Sequence, residues 1–211
     1  MELCLILFFL LQHFTLHFSL LIFNCLMGQS TIPSQFQIGS PLPEFSNLPG
    51  VDGKKYSSSD SSEKKILVVA FTCNHCPYVQ AYEERIMTLQ KEYAEKSVQV
   101  ICINSNEIEN YPDDSYEKMM ERAKLKNFNF IYLRDEDQTV ANKFFATHTP
   151  EFFVFDSERK LRYHGRLDDN WQKPEEVKET YLQYSIDSLL RGEEVKIPET
   201  FSIGCTIKWK L

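Results

Sequence analysis

An uninterrupted apolar run, Ile66-Leu67-Val68-Val69-Ala70-Phe71, leads through Thr72 straight into Cys73-Asn74-His75-Cys76-Pro77. A short run without polar alternation, bounded here by Lys65 and Thr72, reads as a central strand buried on both faces. After it the period changes. From residue 76 to 95 the apolar side chains Val79, Tyr82, Ile86, Leu89 and Tyr93 recur every three or four positions, the spacing of an amphipathic helix. A doubly buried strand passing within a few residues into a helix calls for a layered α/β architecture. It also places two cysteines at the junction.

The rest of the chain fits one such domain. Its 211 residues accommodate a sizeable core, and 43% apolar with 25% charged residues is a globular composition. Residues 31–65, rich in Pro, Gly and Ser, contain the turn signal Asp52-Gly53 and are predicted to form a hairpin arm. Beyond the first helix the patterns predict a strand at 98–103, a helix at 115–126, a strand at 130–133 and a short helix at 138–145. Strands at 152–155 and 161–167 then flank the polar loop 156–160. A last helix spans 174–190, with Pro174 in its first turn and Gly192 just past its end. Helices between short buried strands imply a parallel component in a mixed sheet. The net charge of −7 argues against a nucleic-acid partner, since phosphate binding needs clustered Lys and Arg.

Residues 1–30 are set apart as an apolar leader, leaving 31–211 as the folded domain. The stretch 3–27 is almost wholly apolar and exceeds the roughly 20 residues that span a bilayer. Gly28-Gln29-Ser30 supplies a small-x-small pattern for signal-peptide cleavage. Against this, the leader opens with Glu2 and the first basic side chain is Lys54, whereas a signal peptide usually starts positive. A translated leader predicts export or membrane anchoring, and membrane contact through that segment only. A start at Met27 predicts a cytoplasmic protein.

Chemistry concentrates at the cysteine pair. A helix N-terminus stabilises an anion through its free N–H groups and its dipole. Cys73 is therefore expected to be the low-pKa nucleophile, and Cys76, one turn in, to resolve the mixed disulfide. His75 between them is expected to tune the pair by a hydrogen bond or positive charge near the Cys73 sulfur. A single CxxC is also half of a zinc site, but Cys4, Cys25, Cys102 and Cys205 are isolated and supply no second pair. No metal and no other cofactor is expected. Cys102, inside an apolar strand, reads as core. Cys205, in Gly204-Cys205-Thr206, is either a third redox thiol resolving Cys73 or a buried small hydrophobe. Tyr163-His164-Gly165-Arg166 offers a polar face, and Asp168-Asp169-Asn170 a cap or turn.

Together with the element order, these motifs resemble a known family. The carriers are residues 71–79 (Phe71-Thr72-Cys73-Asn74-His75-Cys76-Pro77-Tyr78-Val79), then Thr149-Pro150-Glu151 with Phe155-Asp156, the stretch from Leu161 to Asn170, and Gly204-Cys205-Thr206-Ile207-Lys208-Trp209-Lys210. From about residue 38 to 210 the chain resembles the thioredoxin-like, peroxiredoxin-related redoxins of the AhpC/TSA type, mostly bacterial. The resemblance implies a thioredoxin fold, a central mixed sheet flanked by helices, with a peroxiredoxin-like N-terminal hairpin extension. It also implies that Thr149 and Pro150, the latter in a cis peptide, face the cysteines together with Pro77. A peroxiredoxin carries Thr or Ser three residues before its peroxidatic cysteine. With Cys76 in that place the slot is filled by Cys73, so disulfide exchange is expected ahead of peroxide reduction. A copper(I) module using Cys73, Cys76 and His148 is the third alternative. Expected partners are protein or small-molecule disulfides and thiols, with a further redox partner.

Overall fold

The computed structural model describes residues 36–210, and the leader expected over 1–30 lies outside them. Among the described residues no helix is long and apolar enough to cross a membrane. In chain order, a hairpin of β1 (Leu48–Pro49) and β2 (Lys55–Tyr56) precedes the long strands β3 (Ile66–Thr72) and β4 (Val98–Asn104). β5 (Ile131–Arg134), the two-residue β6 (His148–Thr149), β7 (Glu151–Phe155), β8 (Leu161–Gly165) and a two-residue β9 (Cys205–Thr206) follow. Among the described residues the α-helices are α1 (Pro77–Tyr93), α2 (Tyr116–Lys126), α3 (Thr139–Phe144) and α4 (Tyr181–Leu190).

The central sheet runs β5-β4-β3-β7-β8. β3 lies parallel to β4, with Ile66 opposite Val98 and Thr72 opposite Asn104, and β4 lies parallel to β5. Parallel neighbours need a crossover, and α1 and α2 supply the two that are required. β7 returns antiparallel against β3 and β8 against β7, the hairpin expected around loop 156–160.

The continuous apolar pattern of β3 is explained by its place in the middle of the sheet. Ile66, Val68 and Ala70 face one layer, against Tyr82, Ile86 and Leu89 of α1 and Leu182 and Ile186 of α4. Leu67, Val69 and Phe71 face the other, against Phe144 of α3, Phe153 and Phe155. Each such side chain, fully buried, contributes roughly 1.5–3 kcal/mol. The N-terminal extension closes both sheet edges. Val51 N–H donates to Tyr132 O at 3.0 Å beside β5, while Gly39 N–H donates to Leu161 O at 2.7 Å beside β8. Edges covered in this way cannot recruit a foreign strand.

The last helix departs from expectation. Residues 174–176 form a single 3-10 turn, Val177 is extended, and α4 starts only at Tyr181. Asp169 is the cause. Its Oδ1 accepts from the amides of Lys178 (3.0 Å) and Glu179 (3.2 Å), which pulls these backbone donors away from a helical ladder.

Candidate redox site

β3 ends at Thr72 and α1 begins at Pro77, so Cys73 and Cys76 lie in the turn between them. Cys76 is the N-cap of α1, extended at φ −73° and ψ 123°, and Pro77 takes the first helical position, where a missing N–H costs nothing. Both thiols are sealed from solvent, Cys73 at 1% and Cys76 at 0% exposure. Asn74 locks the turn. Its amide donates to Asp114 Oδ1 at 2.6 Å, its side-chain Nδ2 to Asp113 O at 2.7 Å, and its Oδ1 accepts from Tyr132 Oη at 2.9 Å.

The cis Thr149–Pro150 peptide closes the opposite wall. Thr149 Oγ1 lies 3.3 Å from Cys73 Sγ, and Thr149 O lies 3.2 Å from Cys76 Sγ. Glu151 supports this loop by accepting from the amides of Thr147 (2.7 Å) and His148 (2.9 Å) and from His164 Nε2 (2.7 Å). Burial alone would raise the Glu151 carboxyl, but these hydrogen bonds, His164 first, bring it below its ordinary range. His164 therefore belongs to the scaffold of the site.

A third sulfur completes the cluster. β9 pairs antiparallel with β6, placing Cys205 opposite Thr149, and Cys205 Sγ is 2.8 Å from Cys76 Sγ. Nothing in the periodicity of residues 201–210 foretold this pairing, because two residues are too few to show a strand's alternation.

Electrostatics divide the thiols. Cys76 is pulled down to about 4, chiefly by a hydrogen bond from the Cys73 thiol; burial opposes this, while the Cys205 thiol and the Val79 amide add to it. The Thr149 carbonyl also opposes charge on Cys76, but four hydrogen bonds, two of them with Cys205, and the helix end outweigh it. Cys73 moves the other way. Donation to Cys76, burial and the negative charge of Asp114 hold it protonated, against a smaller pull from the Thr149 hydroxyl. The helix-end argument that assigned the thiolate to Cys73 thus applies to Cys76, because Cys76 is the capping residue and Cys73 sits one turn outside. Cys205, raised first by burial and then by its hydrogen bond with Cys76, reaches about 11.

His75 is tied elsewhere than expected. Its Nδ1–H donates to Asp114 Oδ2 at 2.6 Å, and its ring stacks on Tyr111 at 5.0 Å between centroids. Asp114 also accepts from Asn104 Nδ2 (3.1 Å) and Asn106 Nδ2 (2.9 Å) and is fully buried. The only trace of Asp114 in the sequence is the turn Pro112-Asp113-Asp114-Ser115, which reads as a helix start. Cys73, His75 and Asp114 bring one ligand atom each within 4.8 Å of one another, which makes them the candidate metal-holding group among the described residues. His148 is not in that group; its Nδ1 contacts Thr147 Oγ1 at 2.8 Å. Cys102 is core, as expected, with 1% exposure.

No curated protein matches the chain. A hypothetical protein from Sinorhizobium meliloti is 32% identical, with a TM-score of 0.78 over 84% of this chain and 97% of that one. An uncharacterized conserved protein from Geobacillus kaustophilus is 38% identical, with a TM-score of 0.78 over 83% of this chain and 93% of that one. A thiol:disulfide interchange protein of the thioredoxin family from Chlorobium tepidum, 18% identical with a TM-score of 0.55 over 74% and 97% of the two chains, shares the fold. The Redoxin family model matches residues 37–182. The chain belongs to the Redoxin family and is a redox protein of thioredoxin-like fold.

Proposed function

We propose that this protein is a thiol–disulfide oxidoreductase that cycles Cys73 and Cys76 between dithiol and disulfide. The observation that carries the reading is the placement of two buried cysteines in the turn that opens α1, both against the cis Thr149–Pro150 peptide. In one turnover an external disulfide is reduced to two thiols while the Cys73 and Cys76 sulfurs give up two electrons and two protons and join. Cys76 is the sulfur of the pair that enters exchange first, and Cys73 then loses its proton and attacks Cys76 Sγ, leaving a Cys73–Cys76 disulfide. External thiols run the same steps backwards. This order reverses the expectation that Cys73 attacks and Cys76 resolves. The partners in this reading are protein or small-molecule disulfides and thiols.

Peroxide reduction is the second reading, and the Cys76 thiolate is what favours it. Its weakness lies in the surroundings. The nearest hydroxyl, on Thr149, contacts Cys73, and among the described residues no Arg side chain hydrogen-bonds to either sulfur. Copper(I) delivery finds less support, because the candidate triad includes the hard carboxylate of Asp114, already engaged by His75 and two asparagines. The deciding experiment equilibrates purified protein with glutathione redox buffers and maps the linked peptides. A two-electron transition that Cys76→Ser abolishes is expected. Rapid consumption of peroxide by a protein that neither oxidises nor reduces a model disulfide would overturn the reading.

A further inference from the structure

The two cysteines of the proposed couple are covered, while a third cysteine in contact with Cys76 is only half-buried. Cys205 is half-buried and opens to solvent, whereas Cys73 and Cys76 are covered. It is also fixed in place. On one side of it, Thr200 N–H donates to His164 O at 2.9 Å. On the other, Ile207 is 3% exposed in the core, and Lys208 N–H donates to Asn106 Oδ1 at 2.8 Å. Gly204 lets the two backbones meet, since a Cβ there would lie 2.1 Å from Thr149 O. The strand edge at Thr149, where an extended substrate peptide would pair, is thus occupied by the chain's own β9.

We propose that Cys205 is a third redox thiol, delivered by β9 to Cys76, and the sulfur through which the buried pair exchanges with external disulfides and thiols. The proposal rests on the Cys73–Cys76 couple described above. Starting from the oxidised pair, the Cys205 thiol gives up its proton and its sulfur attacks Cys76 Sγ. The Cys73–Cys76 bond breaks, a Cys76–Cys205 bond forms, and Cys73 leaves as thiolate and takes a proton, with no net change in oxidation state. An external thiolate then attacks Cys205 Sγ and expels Cys76, giving a mixed disulfide on Cys205. A second external thiol cleaves it and restores the Cys205 thiol.

Two physical arguments direct the external attack to Cys205. Access is the first, since Cys205 is half-buried while Cys73 and Cys76 are covered. The leaving group is the second, because a sulfur of low pKa departs faster and Cys76, at about 4, is far the more acidic of the two.

Full-length protein is tested with hydroxyethyl disulfide as oxidant and glutathione as reductant, by stopped-flow and by non-reducing peptide mapping. In Cys205→Ser the Cys73–Cys76 disulfide is expected to form at equilibrium, with oxidation and reduction slowed roughly tenfold or more. Cys73→Ser is expected to yield a Cys76–Cys205 linked peptide. Gly204→Ala keeps the thiol but forces the strand off Thr149, and should slow exchange as Cys205→Ser does. Wild-type rates in Cys205→Ser, or no Cys76–Cys205 link in Cys73→Ser, would overturn the proposal while an intact Cys73–Cys76 disulfide leaves the underlying couple standing. Failure of Cys73–Cys76 to form in wild type and in Cys205→Ser alike would sink both.

Discussion

At Cys76 hydrogen bonds with Cys73, Cys205 and Val79 act on one sulfur together with the helix end, and they lower its pKa to about 4 against the opposing effect of burial. Ultraviolet thiolate absorbance should therefore titrate near pH 4, and Cys76→Ser should remove that transition. The sign for stability follows from proton binding. Between about 4 and the ordinary thiol value of 9.0 the unfolded chain holds a proton on residue 76 that the folded chain has lost. This contribution is full above 9.0 and is lost as pH falls towards 4; urea midpoints of wild type and Cys76→Ser should converge on the acid side. Asp114 acts on the same cluster from beneath. Asp114→Asn should destabilise by about 1.5–3 kcal/mol, the scale for hydrogen bonds to a buried charge, read as a shift in urea midpoint. It should also move the alkylation profile of Cys73 to lower pH, because the negative charge that helps hold this thiol protonated is gone.

The elements around the site are joined by a few polar clamps. Arg85 on α1 donates through Nη1 to Asp168 and to Asn170 O (2.9 Å), and through Nη2 to Trp171 O (2.6 Å). This ties the helix that carries Cys76 to the segment after β8. Arg85→Met should cost about 3 kcal/mol, the low end for breaking a buried pair, because the Arg85 side chain keeps 18% of its surface exposed. The Cys76 titration should remain, since neither Arg85 nor Asp168 acts on the sulfur. At the end of β8, Gly165 has φ 147°, and a Cβ would meet Thr200 Oγ1 at 2.1 Å. Gly165→Ala should lower stability by about 1–3 kcal/mol by thermal denaturation, with the C-terminal segment loosening at its Thr200 anchor.

On the scale of the whole molecule, the site is assembled from four stretches of chain: the turn at 73–76, the loop with Asn104, Asn106 and Asp114, the loop around Thr149, and the tail at 205–208. The tail serves the core and the site together, since Ile207 packs among Phe71, Phe144 and Phe153 while Cys205 touches Cys76. A chain ending at Glu199 should lose roughly 1.5–3 kcal/mol for the Ile207 side chain alone. Its Cys73 and Cys76 should alkylate faster than in the intact protein under native conditions, as measured by mass spectrometry.

By itself the sequence determined the β3–α1 junction, both crossovers and the 156–160 hairpin, because side-chain period and apolar runs are local properties that a few consecutive residues display. It also marked Cys73 and Cys76 at that junction, while the place of Thr149-Pro150 opposite them came from the family resemblance. Only the tertiary structure decided which sulfur is the thiolate, what His75 binds, and where Cys205 stands. Those outcomes depend on burial and on hydrogen bonds from Asp114, Thr149 and the tail, which are distant in sequence. The late start of α4 has the same origin, two amides captured by an aspartate from another segment. A pKa and a strand of two residues are both set by neighbours in space, and no local pattern records them.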